Sequence, residues 1–366
     1  MPSIEFHCRT HIYFEEGGIN NVGKYLEERG FYCVYLVYGG KSLKNSGAYD
    51  KIVSSLHSSH IKFEEYSGIE ANPDISDVRK MVARLKEYRP DCILAAGGGS
   101  VLDAAKAAAA GYYYDGDPLD FNKKITVPKK TLPLATIITL AASGSEMSDS
   151  CVISDRSTSF KSGFNTPLNY PLFSLLDPEL TLTVPPYQVG IGLADMFCHS
   201  FERYLSPSKE LEPSDDLALG ILSSIVRTSK EVLAHPDNIE ARRAMMIEGS
   251  LAHNGITSFA KNKYMPIHAA EHLLSARYPL LAHGQGIALL MEEQIRLNGE
   301  RVEKKLNRLG RIVFDLDNPS FSEVKEAFHN WILSLPISHS FEELPFKINP
   351  SDIEESRKIL LDSSKF

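Results

Sequence analysis

Runs of apolar residues and helical stripes divide this chain into two textures. In the first half, short runs rich in Val, Ile, Leu and Tyr alternate with amphipathic stretches. Residues 31–38 form one such run, broken by Gly39-Gly40, and a helix is expected over residues 48–58. A strand over 60–66, a helix over 75–87 and a strand over 91–96 follow, the last running directly into Gly97-Gly98-Gly99. Strands that are apolar along their length, alternating with helices, predict a parallel sheet covered by helices, the architecture of a nucleotide-binding domain. From about Asp177-Pro178 onward the pattern changes: residues 187–204, 214–234, 239–254, 267–277 and 283–298 carry helical periodicity, and β-branched runs become scarce. The second half is therefore expected to be all-helical. Pro185-Pro186 marks the junction, because two prolines fit neither a helix interior nor a central strand. The expected domains are residues 1–184 and 185–366.

Composition narrows the function class. The 366 residues, 43% hydrophobic and 23% charged, suffice for two buried cores. A net charge of -8 with no long basic run argues against a nucleic-acid or anionic-membrane surface. No stretch reaches the roughly 18 apolar residues of a membrane span. Met1-Pro2-Ser3-Ile4-Glu5 lacks the basic start and apolar run of a signal peptide. A cytoplasmic protein acting on small molecules is expected. Cys8, Cys33, Cys92, Cys151 and Cys198 are odd in number and never spaced C-x-x-C, which suggests neither a disulfide framework nor a thiolate zinc site. Cys198 lies off the helix face shared by residues 195 and 199 and is expected to pack.

Two features carry candidate chemistry. Asp195-x-x-x-His199 and His268-x-x-x-His272 each place two metal-binding groups on one helix face, and His283 follows eleven positions later. A carboxylate with two or three imidazoles suits Zn²⁺ or Fe²⁺, whereas Mg²⁺ and Ca²⁺ prefer oxygen cages. Such pairs also arise on helices by coincidence, so spacing alone does not establish a site. The second feature is the strand, then Gly97-Gly98-Gly99-Ser100, then a helix start. Its glycines admit a ligand close to the backbone, and the helix N-terminus favours phosphate. Ser100 and Asp103 also have the spacing of a capping box, and neither of the standard glycine-rich nucleotide fingerprints is present.

Taken in order, Gly97-Gly98-Gly99-Ser100-x-x-Asp103-x-x-Lys106, Ser143-Gly144-Ser145-Glu146, Asp195-x-x-x-His199, His268-x-x-x-His272 and His283-Gly284 resemble the iron-containing alcohol dehydrogenases. The likeness is strongest to the butanol dehydrogenase and NADPH-dependent aldehyde reductase branch. Gly68-Ile69-Glu70-Ala71-Asn72-Pro73 and Leu176-Asp177-Pro178-Glu179-Leu180 support it, and it spans about residues 7–300. The resemblance implies a Rossmann-like α/β dinucleotide-binding domain followed by an all-α domain. It further implies a primary alcohol or aldehyde as substrate and one divalent ion, Fe²⁺ or Zn²⁺, on Asp195, His199, His268 and His283. His272 matches a histidine beside the substrate, a proton-relay candidate. The implied cofactor residues are Asn72, Gly98, Gly99, Ser100, Asp103, Thr139, Leu140, Ser143 and Lys161. Helical domains of this kind often dimerise, so a homodimer is compatible with the reading.

Two departures stand out. Fourteen residues separate His268 from His283, which looks like one more than the family's usual spacing; the turn holding Pro279 is expected to absorb the extra one. The usual Gly-Thr-Gly-Ser-Glu reads Ala142-Ser143-Gly144-Ser145-Glu146, and a Thr-Thr pair reads Thr139-Leu140. After the first strand recognised in the sequence, family members using NAD resemble one another in carrying an acidic residue. This chain has Gly39-Gly40-Lys41-Ser42-Leu43-Lys44. Gly40 leaves room for a 2′-phosphate, Ser42 can donate to it, and Lys41 or Lys44 can supply charge, so NADP(H) is expected over NAD(H). The alternatives are a glycerol or sugar-phosphate dehydrogenase of the same superfamily, which would want cations by the metal, and a non-catalytic metal- and nucleotide-binding protein.

Overall fold

The apolar runs of the first half become the interior of a sheet. The computed structural model describes residues 6–207, 212–259, 261 and 264–361; residues 1–5, the stretch read for a signal peptide, fall outside these. The chain divides into two units, His7–Thr183 and Val184–Phe366, with Phe6 grouped in the second. There the Phe6 ring packs edge-on against Phe259, centroids 5.6 Å apart.

The first unit contains β1 (His11–Phe14), β2 (Cys33–Tyr38), β3 (Lys62–Tyr66), β4 (Cys92–Gly97), β5 (Leu134–Ile138), β6 (Ser150–Asp155), β7 (Phe160–Asn165) and β8 (Phe173–Leu176). Six of them form a parallel sheet in the order β1-β8-β5-β4-β2-β3, while β6 and β7 pair antiparallel. The strand expected over 31–38 begins only at Cys33. The Asp91 carboxylate accepts the N–H groups of Tyr32 and Cys33, both at 2.9 Å, and so sets the start of the strand. Around the sheet lie α1 (Val22–Glu27), α2 (Ser42–Asn45), α3 (Ala48–Ser58), α4 (Ile75–Tyr88), α5 (Gly99–Gly111) and α6 (Leu119–Asn122). Leu26, Ile52 and Leu56 from α1 and α3 belong to one core with Val34, Leu36, Leu94, Ile137 and Leu175 from the strands. Each such side chain contributes about 1.5–3 kcal/mol on burial.

Strand order positions the glycines. From β2 the chain steps outward to β3 and then returns to β4 on the other side of β2. The order therefore reverses between β2 and β4, and ligands of open α/β sheets bind at the carboxyl ends of strands flanking such a reversal. Those ends carry Gly39-Gly40 and Gly97-Gly98-Gly99.

In the second unit, α7 (Pro186–Leu205), α8 (Pro213–Ala234), α9 (Ile239–His253), α10 (Pro266–Arg277), α11 (His283–Asn298), α12 (Glu303–Val313), α13 (Phe321–Ser334) and α14 (Pro350–Leu361) follow one another, with no strand among the described residues. Pro185 is the N-cap of α7 and Pro186 its first residue, where a missing N–H breaks no helical bond. From Val189 to Leu205 every residue of α7 is buried. A Cβ on Gly284 would stand 2.1 Å from the Ile191 carbonyl oxygen, so the first turn of α11 crosses α7 backbone against backbone. No described helix is long and apolar enough to cross a membrane.

Candidate functional site

Asp195 and His199 sit one turn apart on α7, both at least 96% buried. His268 is the third residue of α10 and His283 the first of α11. Their side chains converge. His199 Nδ1 lies 3.6 Å from Asp195 Oδ1, and the Nε2 atoms of His268 and His283 each lie 3.7 Å from the same oxygen. These separations exceed hydrogen-bond length but suit groups sharing an ion: tetrahedral bonds of about 2.0–2.2 Å put neighbouring ligands roughly 3.3–3.6 Å apart. Asp195 Oδ1, His199 Nδ1 and His268 Nε2 are buried without a hydrogen-bond partner among the described residues. Leaving one buried polar atom unpaired costs about 1–3 kcal/mol, so three aimed at one point make a donor set that fits a divalent cation. The spacing before His283 is taken up where α10 stops at Arg277: Leu281 N–H donates to Tyr278 O across the intervening turn, and Ala282 caps α11.

Behind the donors stand two acids that the sequence reading did not single out. Glu202 on α7 hydrogen-bonds His268 Nδ1 through one oxygen and accepts the Ile267 N–H through the other. Glu271 on α10 hydrogen-bonds His283 Nδ1. Both acids are buried. Burial, reinforced by neighbouring cationic groups, holds His199 well below its ordinary pKa, so it is a neutral imidazole with a lone pair to offer. Burial also works against charging His268, but Glu202 and Asp195 outweigh it and push its pKa up to about 9. Cys198 packs in the interior, its Sγ 3.7 Å from Glu202, and burial raises its pKa so that it remains a thiol.

His272 neighbours one of the three imidazoles gathered on Asp195. It groups with Glu271 and His283, its ring centroid 5.6 Å from that of His283. Arg277, the one Lys or Arg between His268 and His283, is engaged by Asp352 at 2.6 Å and Glu355 at 2.7 Å. A phosphorylated substrate would have to compete with both carboxylates for it. A separate cavity of about 300 Å³, lined by Glu292, Arg296, His329 and His339 among others, includes none of the four convergent residues.

In the first unit the glycine loop is closely built. A Cβ on Gly99 would meet Ser143 Oγ at 2.3 Å, and one on Gly98 would meet Leu140 at 3.3 Å. Gly98, Gly99, Leu140 and Ser143 are thus brought together, with Ser100 in the first turn of α5 and Thr139 donating its N–H to Gly97 O at 3.2 Å. The capping box does not form. Gly98 is the N-cap, no side chain caps α5, and the Asp103 carboxylate accepts Ser145 Oγ–H at 2.8 Å and Val152 N–H at 3.0 Å instead. Val101 N–H donates to Gly98 O at 3.0 Å, which leaves the N–H groups of Gly99 and Ser100 to face an anion. Lys106, 1% exposed, donates from Nζ to Ser145 O, Ser145 Oγ, Ser148 O and Ser150 O at 2.7–3.0 Å, fixing the segment that follows Ser143. Lys161 Nζ donates to Asn72 Oδ1 at 2.8 Å, and Asn72 has a left-handed φ of 54°. Lys41 precedes α2 and is exposed beside Gly40 and Ser42. Lys44 is turned elsewhere, 3.7 Å from Glu65 and 4.4 Å from the Tyr49 ring centroid, which removes it as the simpler source of charge for a 2′-phosphate.

A signal for Glu202 was present in the spacing. Residues 195, 199 and 202 share one helix face at i, i+4 and i+7, and Glu271 follows His268 by three.

Known proteins match both units. The family model for iron-containing alcohol dehydrogenase covers residues 9–178, and the C-terminal model of the Fe-containing alcohol dehydrogenase family covers residues 191–360. NADH-dependent butanol dehydrogenase A of Clostridium acetobutylicum is 37% identical over 90% of this chain and 85% of its own. NADPH-dependent aldehyde reductase YqhD of Escherichia coli is 32% identical over 89% of this chain and 84% of its own. The crystal structure of NADH-dependent butanol dehydrogenase A from Thermotoga maritima superposes with a TM-score of 0.92 at 30% identity, covering 98% of this chain and 90% of that one.

Proposed function

The chain belongs to the iron-containing alcohol dehydrogenase family, and on that premise we propose that it reduces aldehydes to primary alcohols with NADPH, using one Fe²⁺ or Zn²⁺ held by Asp195, His199, His268 and His283. An NAD(P)-dependent alcohol dehydrogenase or aldehyde reductase activity follows from its relatives; the direction, the choice of NADPH and the residue roles are the proposal. The observation that carries it is the convergence of three imidazole nitrogens within 3.6–3.7 Å of Asp195 Oδ1.

When bound, the cation supplies Lewis acidity toward a carbonyl oxygen and the nicotinamide supplies the hydride. The chain's residues do the rest. Asp195 would contribute the anionic donor and the three histidines their nitrogens, His268 giving up the proton that Glu202 and Asp195 favour on it when no cation is bound. His272, on the same face of α10 as His268 and beside His283, provides the proton that the product alkoxide needs. The first turn of α5 and the backbone at Gly98 and Gly99 receive the pyrophosphate. Lys161, steered by Asn72, adds a cation to the nucleotide side. Gly40 has nothing within 4 Å of its would-be Cβ, and Lys41 and Ser42 flank that space, which supports a 2′-phosphate there.

The deciding experiment is an anaerobic assay of protein stripped by chelator and restored separately with Fe²⁺ or Zn²⁺, against short- to medium-chain aldehydes with NADPH or NADH. Metal-dependent NADPH oxidation is expected. No turnover with any aldehyde and either metal defeats the catalytic reading, and a tenfold preference for NADH defeats the cofactor reading alone.

A further inference from the structure

Three helices are linked through the metal donors in a repeated way. Glu202 of α7 reaches the histidine in the first turn of α10, and Glu271 of α10 reaches the histidine that begins α11. Each acid therefore lies at the positive N-terminal end of the next helix, and Glu202 also accepts one of the N–H groups left open there, that of Ile267. An acceptor-only carboxylate at Nδ1 keeps a proton on that nitrogen, which reserves Nε2, 3.7 Å from Asp195 Oδ1 in both histidines, as the nitrogen that gives up its proton to bind a cation. His199 has less need of such a brace, because it shares α7 with Asp195 and the helix itself fixes their separation. His268 and His283 arrive on other helices.

Resting on the metal site proposed above, we infer that Glu202 and Glu271 are positioning residues that hold His268 and His283 in the tautomer and orientation that bind the cation. Each acid acts through the histidine it holds. Each fixes ring rotation and strengthens its imidazole as a donor. Loss of such a partner lowers metal affinity about 10–100-fold.

The test uses the full-length chain as wild type, Glu202→Gln and Glu271→Gln. Gln keeps the volume and an acceptor oxygen but removes the charge. Zn²⁺ affinity is measured by competition with a chromophoric chelator, and the visible spectrum of the Co²⁺-loaded protein reports ligand geometry. Both variants are expected to bind Zn²⁺ at least tenfold more weakly and to show altered Co²⁺ bands. Zn²⁺ affinity within twofold of wild type together with an unchanged spectrum overturns the inference, even if the metal-free melting temperature falls. Should a Gln variant not fold, Glu→Asp at that position decides by the same measurements, since it keeps the charge and withdraws it by one carbon. A wild type that takes up no Zn²⁺ or Co²⁺ overturns the metal site itself, a separate result from Gln variants that bind as well as wild type.

Discussion

Replacing Lys106 with Met tests whether a buried ammonium holds the cofactor loop. Met fills much the same volume along the side-chain stem, so the packing of α5 is largely kept. What disappears is the donor set: Ser145 O, Ser148 O and Ser150 O lose a partner, and Ser145 Oγ loses one of two. Hydrogen bonds to a charged group contribute about 1.5–3 kcal/mol each. Against that gain stands the burial of the ammonium, which draws its pKa below the ordinary value while Asp103 pulls it back. Three carbonyls deprived of a buried donor cost about 1–3 kcal/mol each, and with the relief of the ammonium's burial set against them the net loss should be about 3–5 kcal/mol. For a unit of this size that corresponds to a melting temperature roughly 6–20 °C lower. Urea unfolding should give the free energy, and the KM for NADPH should rise with kcat less affected, because Ser143 and its neighbours contact the glycine loop. Metal content should not change. A variant that unfolds within 1 kcal/mol of wild type and keeps its KM would refute the reasoning, since the loop would then be held by something other than Lys106.

Gly99→Ala should raise the KM for the cofactor at least tenfold, measured by initial rates, because its methyl group meets Ser143 Oγ at 2.3 Å. Gly40→Asp, in open space, should fold normally and shift the NADPH-to-NADH ratio of kcat/KM toward NADH by at least tenfold; an unchanged ratio would place the 2′-phosphate elsewhere. Asp195→Ala should lose metal and activity together, whereas His272→Ala should retain metal, by elemental analysis, and lose turnover. Equal metal loss in both would end the relay assignment. Burial acts to raise the Glu293 pKa, but Arg357 and Arg296 prevail and hold it below the ordinary 4.5. Its contribution is therefore present above pH 4.5 and lost as pH falls through the lowered value. Glu293→Gln should cost about 1 kcal/mol at pH 7 by denaturant titration, after allowance for screening, and progressively less below pH 4.5.

The long elements and the donor set could be read from the chain because each has a periodic cause. Apolar continuity marked β2 and β4, and i,i+4 spacing marked Asp195 with His199 and His268 with His272. Elements whose cause lies elsewhere in the fold were harder to read. β1 is four residues whose partner, β8, lies about 160 positions away, and β6 and β7 mix polar and apolar positions and are aligned in part by Asp103 and Asn122. Ser100 and Asp103 look like a cap locally, yet Asp103 faces Ser145 and Val152, partners that no local pattern reveals. Glu202 shares a helix face with Asp195 and His199, but that it and Glu271 back the two histidines on other helices shows only once those neighbours are known. Lys44 seemed as good a phosphate partner as Lys41 because Glu65 and Tyr49 come from other elements.

The crossing at Gly284 bears on how this protein can change over evolutionary time. A histidine donor can in principle drift to another donor type, since a cation tolerates a change of donor chemistry better than a backbone tolerates a collision. Position 284 has no comparable freedom: any side chain would be driven into the Ile191 carbonyl and would lift the start of α11, carrying His283 with it. Among variants of this chain, a residue with no functional group should therefore be the more constrained of the pair His283-Gly284. Saturation mutagenesis at the two positions should show it, with more tolerated substitutions at 283 than at 284 when survival of the fold is scored.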